Sequence, residues 1–270
     1  MHKAKKRFGQ NFLQDSGVIR AIIRAINPLL QDNLIEIGPG TGALTGELLP
    51  QVAQLTALEI DETLLAELEK KYTKHPGFIP LHCDALHYDW SGLALSRQGT
   101  KPIRIVGNLP YNIATPLICR IVEADIPVYD CHFMIQKEVA QRITAKKATT
   151  HYGYLTLLIQ YFAQADYLFS VPPEAFMPQP KVDSAVIRIK PKPKVQRLSI
   201  DYKVYQFWLK IFFAHKRKTL ANNIKPYVDS DRFADLALDM QHMLRQRAEQ
   251  LDMDQLVCLM RALDSFVHSR

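Results

Sequence analysis

At 270 residues the chain is long enough to bury a substantial core, and 47% hydrophobic content leaves no place for a long disordered tract. A net charge of +7 favours a polyanionic partner without requiring one. The four cysteines (Cys83, Cys119, Cys131 and Cys258) form no Cys-x-x-Cys pair, and no His-Glu-x-x-His occurs, which argues against a disulfide framework and against a zinc or other metal site.

No apolar run approaches the ~18 residues needed to span a membrane. The basic segment His2 to Arg7 leads into polar Gly9-Gln10-Asn11, with no signal-peptide core behind it. These features predict a soluble, cytoplasmic protein that binds no membrane; its oligomeric state is not encoded in them, and a monomer is the expectation. Val18, Ile19, Ile22, Ile23, Ile26 and Leu29 then recur at helical spacing, and Asp15 or Ser16 is placed to cap the amphipathic helix they mark.

Leu34 to Ile37 reads as a short buried strand, followed at once by Gly38, Gly40 and Gly42. Their G-x-G-x-G spacing differs from the G-x-G-x-x-G of a pyrophosphate cradle. Glycines here let the backbone turn tightly and approach a ligand; a plain turn before a helix near Ala43 is the alternative. Glu59 ends a second apolar run about 20 residues on, where a doubly wound sheet places the acid that takes ribose hydroxyls. Asp84 repeats the pattern after Phe78 to Cys83, where a carboxylate can accept an adenine amine while Ala85 offers its backbone amide. A ligand with ribose and adenine but no pyrophosphate fits these three strand tips, and S-adenosylmethionine is the candidate.

Ile103 to Val106 leads to Asn108-Leu109-Pro110-Tyr111. The Asn108 amide oxygen and the Leu109 carbonyl can both accept hydrogen bonds from an exocyclic amine. The Tyr111 ring can stack on the base that carries it. The segments 34–42 and 103–111 together therefore suggest a methyl donor meeting a base amine.

Helix-like segments cover residues 63–71, 115–123 and 136–144, and Cys131 to Ile135 is strand-like. This alternation predicts an α/β fold with a mostly parallel sheet and ligands at the carboxyl ends of its strands. Residues 167–171 and 185–189 read as two late strands joined by a short Pro-rich loop, one of them antiparallel. Pro191-Lys192-Pro193-Lys194 breaks the pattern. Helices are predicted over 205–223, 231–240 and 254–263, with Trp208, Ile211 and Phe212 as the core of a small all-helical C-terminal domain. The expected division is a methyltransferase domain over 1–190 and a helical RNA-binding domain over 191–270. Basic clusters lie at 2–7, at Lys190, Lys192, Lys194 and Arg197, and at Lys216-Arg217-Lys218; each reads as phosphate contact or as a solvated face.

Five segments resemble those of the rRNA adenine N6-dimethyltransferases, most closely the small-subunit (16S) rRNA branch. They are Phe8 to Leu13, Glu36 to Gly42, Asn108 to Tyr111, Pro172 to Ser184 and His215 to Asn223. His215 departs from the family's frequent Gln, a difference that touches RNA contact or packing. The resemblance implies a Rossmann-like S-adenosylmethionine-dependent methyltransferase sheet. It places Asn11 and Leu13 against the cofactor, Gly38 beneath its methionine moiety, Glu59 on the ribose and Asp84 on the adenine. It sets Asn108 where methyl group and amine meet, with Phe176 as a second stacking face beside Tyr111. Taken without the resemblance, Gly9-Gln10-Asn11 is equally an ordinary loop and Phe176 a packing residue.

The resemblance further implies dimethylation of two adjacent adenosines in a hairpin loop near the 3′ end of 16S rRNA, within the small ribosomal subunit or its precursor. Three alternatives stand beside it. A large-subunit rRNA adenine methyltransferase shares the fold, but the Pro172 to Val182 stretch favours the small-subunit branch. A DNA adenine methyltransferase more often carries Asp-Pro-Pro-Tyr. A non-catalytic RNA-binding assembly factor fits poorly with intact Glu59, Asp84 and Asn108.

Overall fold

In a computed structural model the described residues are 5, 9–96, 103–124, 126–193 and 196–267. Most of the basic segment 2–7, together with Phe8 and Lys194, lies outside them. The chain divides into two compact units, one of residues 1–141 with 163–191 and one of 142–162 with 192–270. Residues 142–162, grouped from the sequence with the N-terminal domain, thus pack in the second unit.

The first unit is built on a seven-stranded sheet. Its strands are β2 (Asn33–Ile37), β3 (Gln54–Glu59), β4 (Phe78–His82), β5 (Ile103–Asn108), β6 (Val128–Gln136), β7 (Ala163–Val171) and β9 (Ser184–Pro191). Their order is β4-β3-β2-β5-β6-β9-β7, with β2 to β6 mutually parallel and β9 antiparallel to both its neighbours. The apolar strands sit centrally because both sheet faces are covered: β2 buries Leu34 to Ile37, and β5 buries Ile103 to Gly107. The chain winds outward from β2 through β3 to β4, then returns to place β5 on the other flank of β2. That reversal opens a crevice between the carboxyl ends of β2 and β5. The Gly-rich turn leaves β2 there, and Asn108 ends β5 there.

Helix α1 (Ser16–Ile26) precedes the sheet, and Asp15 caps it by accepting from the Val18 N–H at 2.8 Å. Its C-terminal end is pinned by Arg104. The guanidinium reaches the Ile26 and Asn27 carbonyls while pairing with both Asp130 oxygens (2.8 and 2.9 Å) and with Asp32 (2.9 Å). A buried arginine is tolerated there because every face of its fork meets an acceptor. A separate two-stranded pair joins β1 (Phe12–Leu13) to β8 (Phe176–Met177), which the sequence patterns did not reveal.

The second unit is helical. Helix α7 (Tyr154–Phe162) escaped the sequence pattern because it is apolar on nearly every side. It is joined by α8 (Tyr202–Phe212), α9 (Leu220–Ile224), α10 (Leu238–Leu244) and α11 (Met253–Val267). Trp208, Ile211 and Phe212 are buried as expected, and the Tyr205 hydroxyl donates to the Leu157 carbonyl at 2.9 Å. The helix predicted over 205–223 is instead two helices. Buried Asn223 donates to the Phe212 and His215 carbonyls at 2.9 and 3.3 Å, taking up acceptors at the end of α8 and in the turn beyond it. Lys216-Arg217-Lys218 therefore lies exposed on a turn, not on a helix. Likewise the helix predicted over 231–240 divides into a 3-10 turn (Ser230–Asp235) and α10.

Candidate active site

The crevice holds a cavity of about 340 Å³, in the range of small-ligand sites. Asn11, Leu13, Gly38, Glu59, Asp84, Ala85, Asn108, Leu109 and Tyr111 all line it. Strand tips β2, β3 and β5 and the turn after β4 supply most of them, and β1 with the residue before it supplies the rest. Residues spread over a hundred positions meet because parallel strands deliver all their carboxyl ends to one edge.

Gly38 has φ +62°, a conformation side chains rarely adopt, and a Cβ built on it would have the Asn108 carbonyl oxygen, 3.8 Å away, as its nearest neighbour. The glycine therefore keeps the space between the β2 and β5 tips open. Glu59 is buried and fixed at both oxygens: Oε2 accepts from the Gly40 N–H at 3.1 Å and Oε1 from the Asp61 N–H at 3.0 Å. Burial pushes its carboxyl upward, against the pull of those donors. With a further backbone donor at Ile60, three of the carboxylate's four lone-pair sites are taken and one is left for a hydroxyl.

Asp84 accepts from the Leu86 N–H and meets the His87 Nδ1 at 2.9 Å. Apolar Leu58, Ile60 and Leu86 line the space near these acids. Asn108 donates its Nδ2 to the Asn11 carbonyl at 3.0 Å. The Tyr111 hydroxyl is tied to buried Ser184 at 2.7 Å, and burial raises its phenol, so it stays protonated at neutral pH.

Phe176 is the exception. It does not line the cavity; it is 2% exposed and packs in a core cluster with Leu13, Val171, Ala175 and Val186. The β1–β8 pairing decides this, since alternation along a strand turns Phe176 inward and leaves Met177 54% exposed. The second stacking face is not formed by Phe176 in this arrangement.

Glu36 lines the cavity and was not singled out from the sequence. It is 1% exposed and accepts from the Thr45 hydroxyl at 2.7 Å. Burial, opposed by that hydrogen bond and reinforced by nearby Glu59, raises its carboxyl to about 7. A carboxylate inside an otherwise apolar strand, two residues before a glycine turn, was the available signal.

The sequence matches the family described as ribosomal RNA adenine dimethylase over residues 1–260. The chain belongs to the ribosomal RNA adenine dimethylase family. Relatives of this dimethylase include the ribosomal RNA small subunit methyltransferase A of Acinetobacter baylyi, 44% identical over 96% of this chain and 92% of that protein. The protein of the same description from Saccharophagus degradans is 42% identical over 97% and 95%. That from Hydrogenovibrio crunogenus is 44% identical over 88% and 90%.

Among solved structures, a dimethyladenosine transferase from Plasmodium falciparum superposes with a TM-score of 0.78 at 24% identity, covering 94% of this chain and 98% of that one. The 23S rRNA methyltransferase ErmE gives 0.67 at 24%, covering 94% and 100%. Both likenesses speak of fold: this dimethylase has the Rossmann-like fold of rRNA methyltransferases. It is an rRNA adenine dimethyltransferase.

Proposed function

We propose that the enzyme transfers methyl groups from S-adenosylmethionine to N6 of two adjacent adenosines in the 3′-terminal hairpin loop of 16S rRNA. The products are N6,N6-dimethyladenosines, made during small-subunit biogenesis. The observation that carries this reading is the single cavity uniting Gly38, Glu59 and Asp84 with Asn108. The near full-length relatives, described as small subunit methyltransferases, support the small-subunit substrate over a large-subunit one.

The residues fit the donor. The open space at Gly38 admits a ligand's chain, the remaining lone pair of Glu59 suits a ribose hydroxyl, and Asp84 with the Ala85 amide suits an adenine edge. When bound, S-adenosylmethionine supplies an electrophilic methyl group. The protein's part is alignment. With Nδ2 committed to Asn11, the Asn108 Oδ1 is left to accept from the target amine, and the Leu109 carbonyl is the second acceptor. Two acceptors draw the nitrogen toward its pyramidal form and free the lone pair for attack. The methylated nitrogen is acidic enough to release its proton to water.

A target base must leave its stack to reach such a site. Stacking on Tyr111 returns roughly 1–3 kcal/mol, comparable with the few kcal/mol that unstacking costs. The second unit, with Lys216, Arg217 and Lys218 exposed on their turn, is assigned to the RNA backbone. Incubation with labelled methyl donor and unmethylated small subunits, followed by mapping of the modified nucleotides, tests the reading. Label confined to two adjacent adenosines near the 3′ end is expected, and small subunits left unlabelled, or labelled only at other nucleotides, would overturn it.

A further inference from the structure

One wall of the cavity is the segment that precedes β1, and its hold on the rest of the first unit is largely polar. The carboxylate of Asp61 receives the Lys5 ammonium at 2.7 Å and the Gln10 Nε2 at 3.1 Å. Gln10 is used at both ends of its amide, because its Oε1 accepts from the Lys5 N–H at 2.8 Å. Residues 5 and 10 are thereby closed into a loop over one carboxylate. Asp61 is 1% exposed at its side chain while Lys5 is 34% exposed, so the pair is sheltered on the acid's side. Burial works against the charge, yet the hydrogen bonds from Lys5, Gln10 and the Thr63 N–H prevail and hold the carboxyl down to about 2.

The same residue reaches the ligand side. The Asp61 N–H donates to Glu59 Oε1, and Glu59 Oε2 accepts from the Gly40 N–H. One line of contacts therefore runs from Lys5 and Gln10 through Asp61 to Glu59 and the glycine turn. The bland role for Asp61 is the cap of α3 (Glu62–Tyr72), where it accepts from the Thr63 N–H at 3.1 Å. Capping needs one acceptor and no charge. It leaves the Lys5 and Gln10 contacts, 56 and 51 positions away in sequence, unexplained.

We infer that Asp61 is a positioning residue for the methyl donor: it clasps the N-terminal segment, through Gln10 and Lys5, as a wall of the cavity and couples that wall to the ribose acid Glu59. This rests on the donor assignment made above. The wall holds the donor alike before and during transfer, so its loss appears in donor affinity and KM with kcat little changed.

Calorimetric titration of S-adenosylhomocysteine into the full-length wild type, Asp61→Asn, Gln10→Ala and the double variant tests this. Asparagine still caps α3, and Gln10→Ala leaves α3 untouched, so a role confined to capping predicts wild-type affinity in both. The clasp predicts weakening of about ten-fold in each, the scale of one lost charge-assisted hydrogen bond. It also predicts a raised KM for S-adenosylmethionine, faster tryptic cleavage after Lys5, and a double variant weaker by less than the product of the singles. If Asp61→Asn lowers the melting temperature, Gln10→Ala alone decides. Wild-type affinity in Gln10→Ala and in a stable Asp61→Asn overturns the inference. If the wild type itself takes up no S-adenosylhomocysteine, the donor assignment falls and the inference with it, which distinguishes the two failures.

Discussion

The side-chain nitrogen of Asn108 donates to the backbone carbonyl of Asn11 across 3.0 Å, joining the tip of β5 to the segment before β1, 97 positions away in sequence. A carbonyl can only accept, so this bond fixes which way the amide faces. The bond also makes the amide's two ends unequal: one holds the protein together, and the other is left for the substrate amine in the proposed reaction.

Asn108→Ala is expected to lower kcat by about 10²–10³, the usual loss for one aligned transition-state contact, while donor affinity changes a few-fold. Asn108→Asp is expected to be worse, since a carboxylate has no proton for the Asn11 carbonyl and would face it with like charge. Single-turnover methylation with a parallel titration of S-adenosylhomocysteine checks both. Wild-type turnover in the alanine variant would remove Asn108 from the reaction.

Two glycines at the crevice are expected to fail in different ways. Gly38→Ala carries a left-handed backbone, costing about 1–2 kcal/mol, but its Cβ meets nothing closer than 3.8 Å within the protein. Its main effect should be on donor binding. A Cβ on Gly107 would sit 2.7 Å from the Ile37 carbonyl oxygen, backbone of the neighbouring strand β2 that cannot swing aside. Gly107→Ala should therefore unfold at markedly lower temperature. Melting curves and titrations on the pair decide it, and a Gly38→Ala variant with full donor affinity would contradict the assignment.

Buried titratable groups set two opposite pH slopes. Glu36 is raised from 4.5 to about 7 in the folded protein, so the folded state binds the extra proton. Its stabilising contribution is complete below about pH 4.5 and is lost as pH rises through about 7. His132 is driven from 6.5 to about 4, by burial first and by Arg104 and Arg188, against the pull of Asp130. There the unfolded state binds the extra proton, and stability is lost as pH falls from about 6.5 to about 4. Melting temperatures across this range should lose the alkaline-side decline in Glu36→Gln and the acid-side decline in His132→Leu. Profiles parallel to wild type would show that neither group titrates as stated.

Neutralising Lys216, Arg217 and Lys218 together is expected to weaken binding to the small subunit while leaving S-adenosylhomocysteine binding intact. All three are exposed on the turn between α8 and α9 and not on the helix predicted over 205–223, so no single helix face limits which of them reach phosphates. Each lost phosphate contact should flatten the slope of log K against log salt by about 0.7–0.9. An unaltered slope in the triple variant would make the turn a solvated surface and move the RNA footprint elsewhere.

What the amino-acid sequence determined by itself was local: apolar runs ending in Gly38, Glu59, Asp84 and Asn108, and alternation that set strands side by side in parallel. Each strand tip could be read alone because a buried strand and the residue that ends it are neighbours in the chain. The turn at 213–219 was not legible, because Asn223 accepts the role of ending α8 only once the chain has folded back. Phe176 faces the core because β8 pairs with β1, a contact between segments some 160 positions apart that no local pattern encodes. The charge state of Glu36 belongs to the same class, since a carboxyl's pKa follows the water taken from around it and not its neighbours in sequence. The clasp from Lys5 and Gln10 to Asp61 does too. Sequence periodicity reports which faces are apolar, whereas polar partners separated by fifty or more residues are chosen only when the sheet brings their elements to one edge.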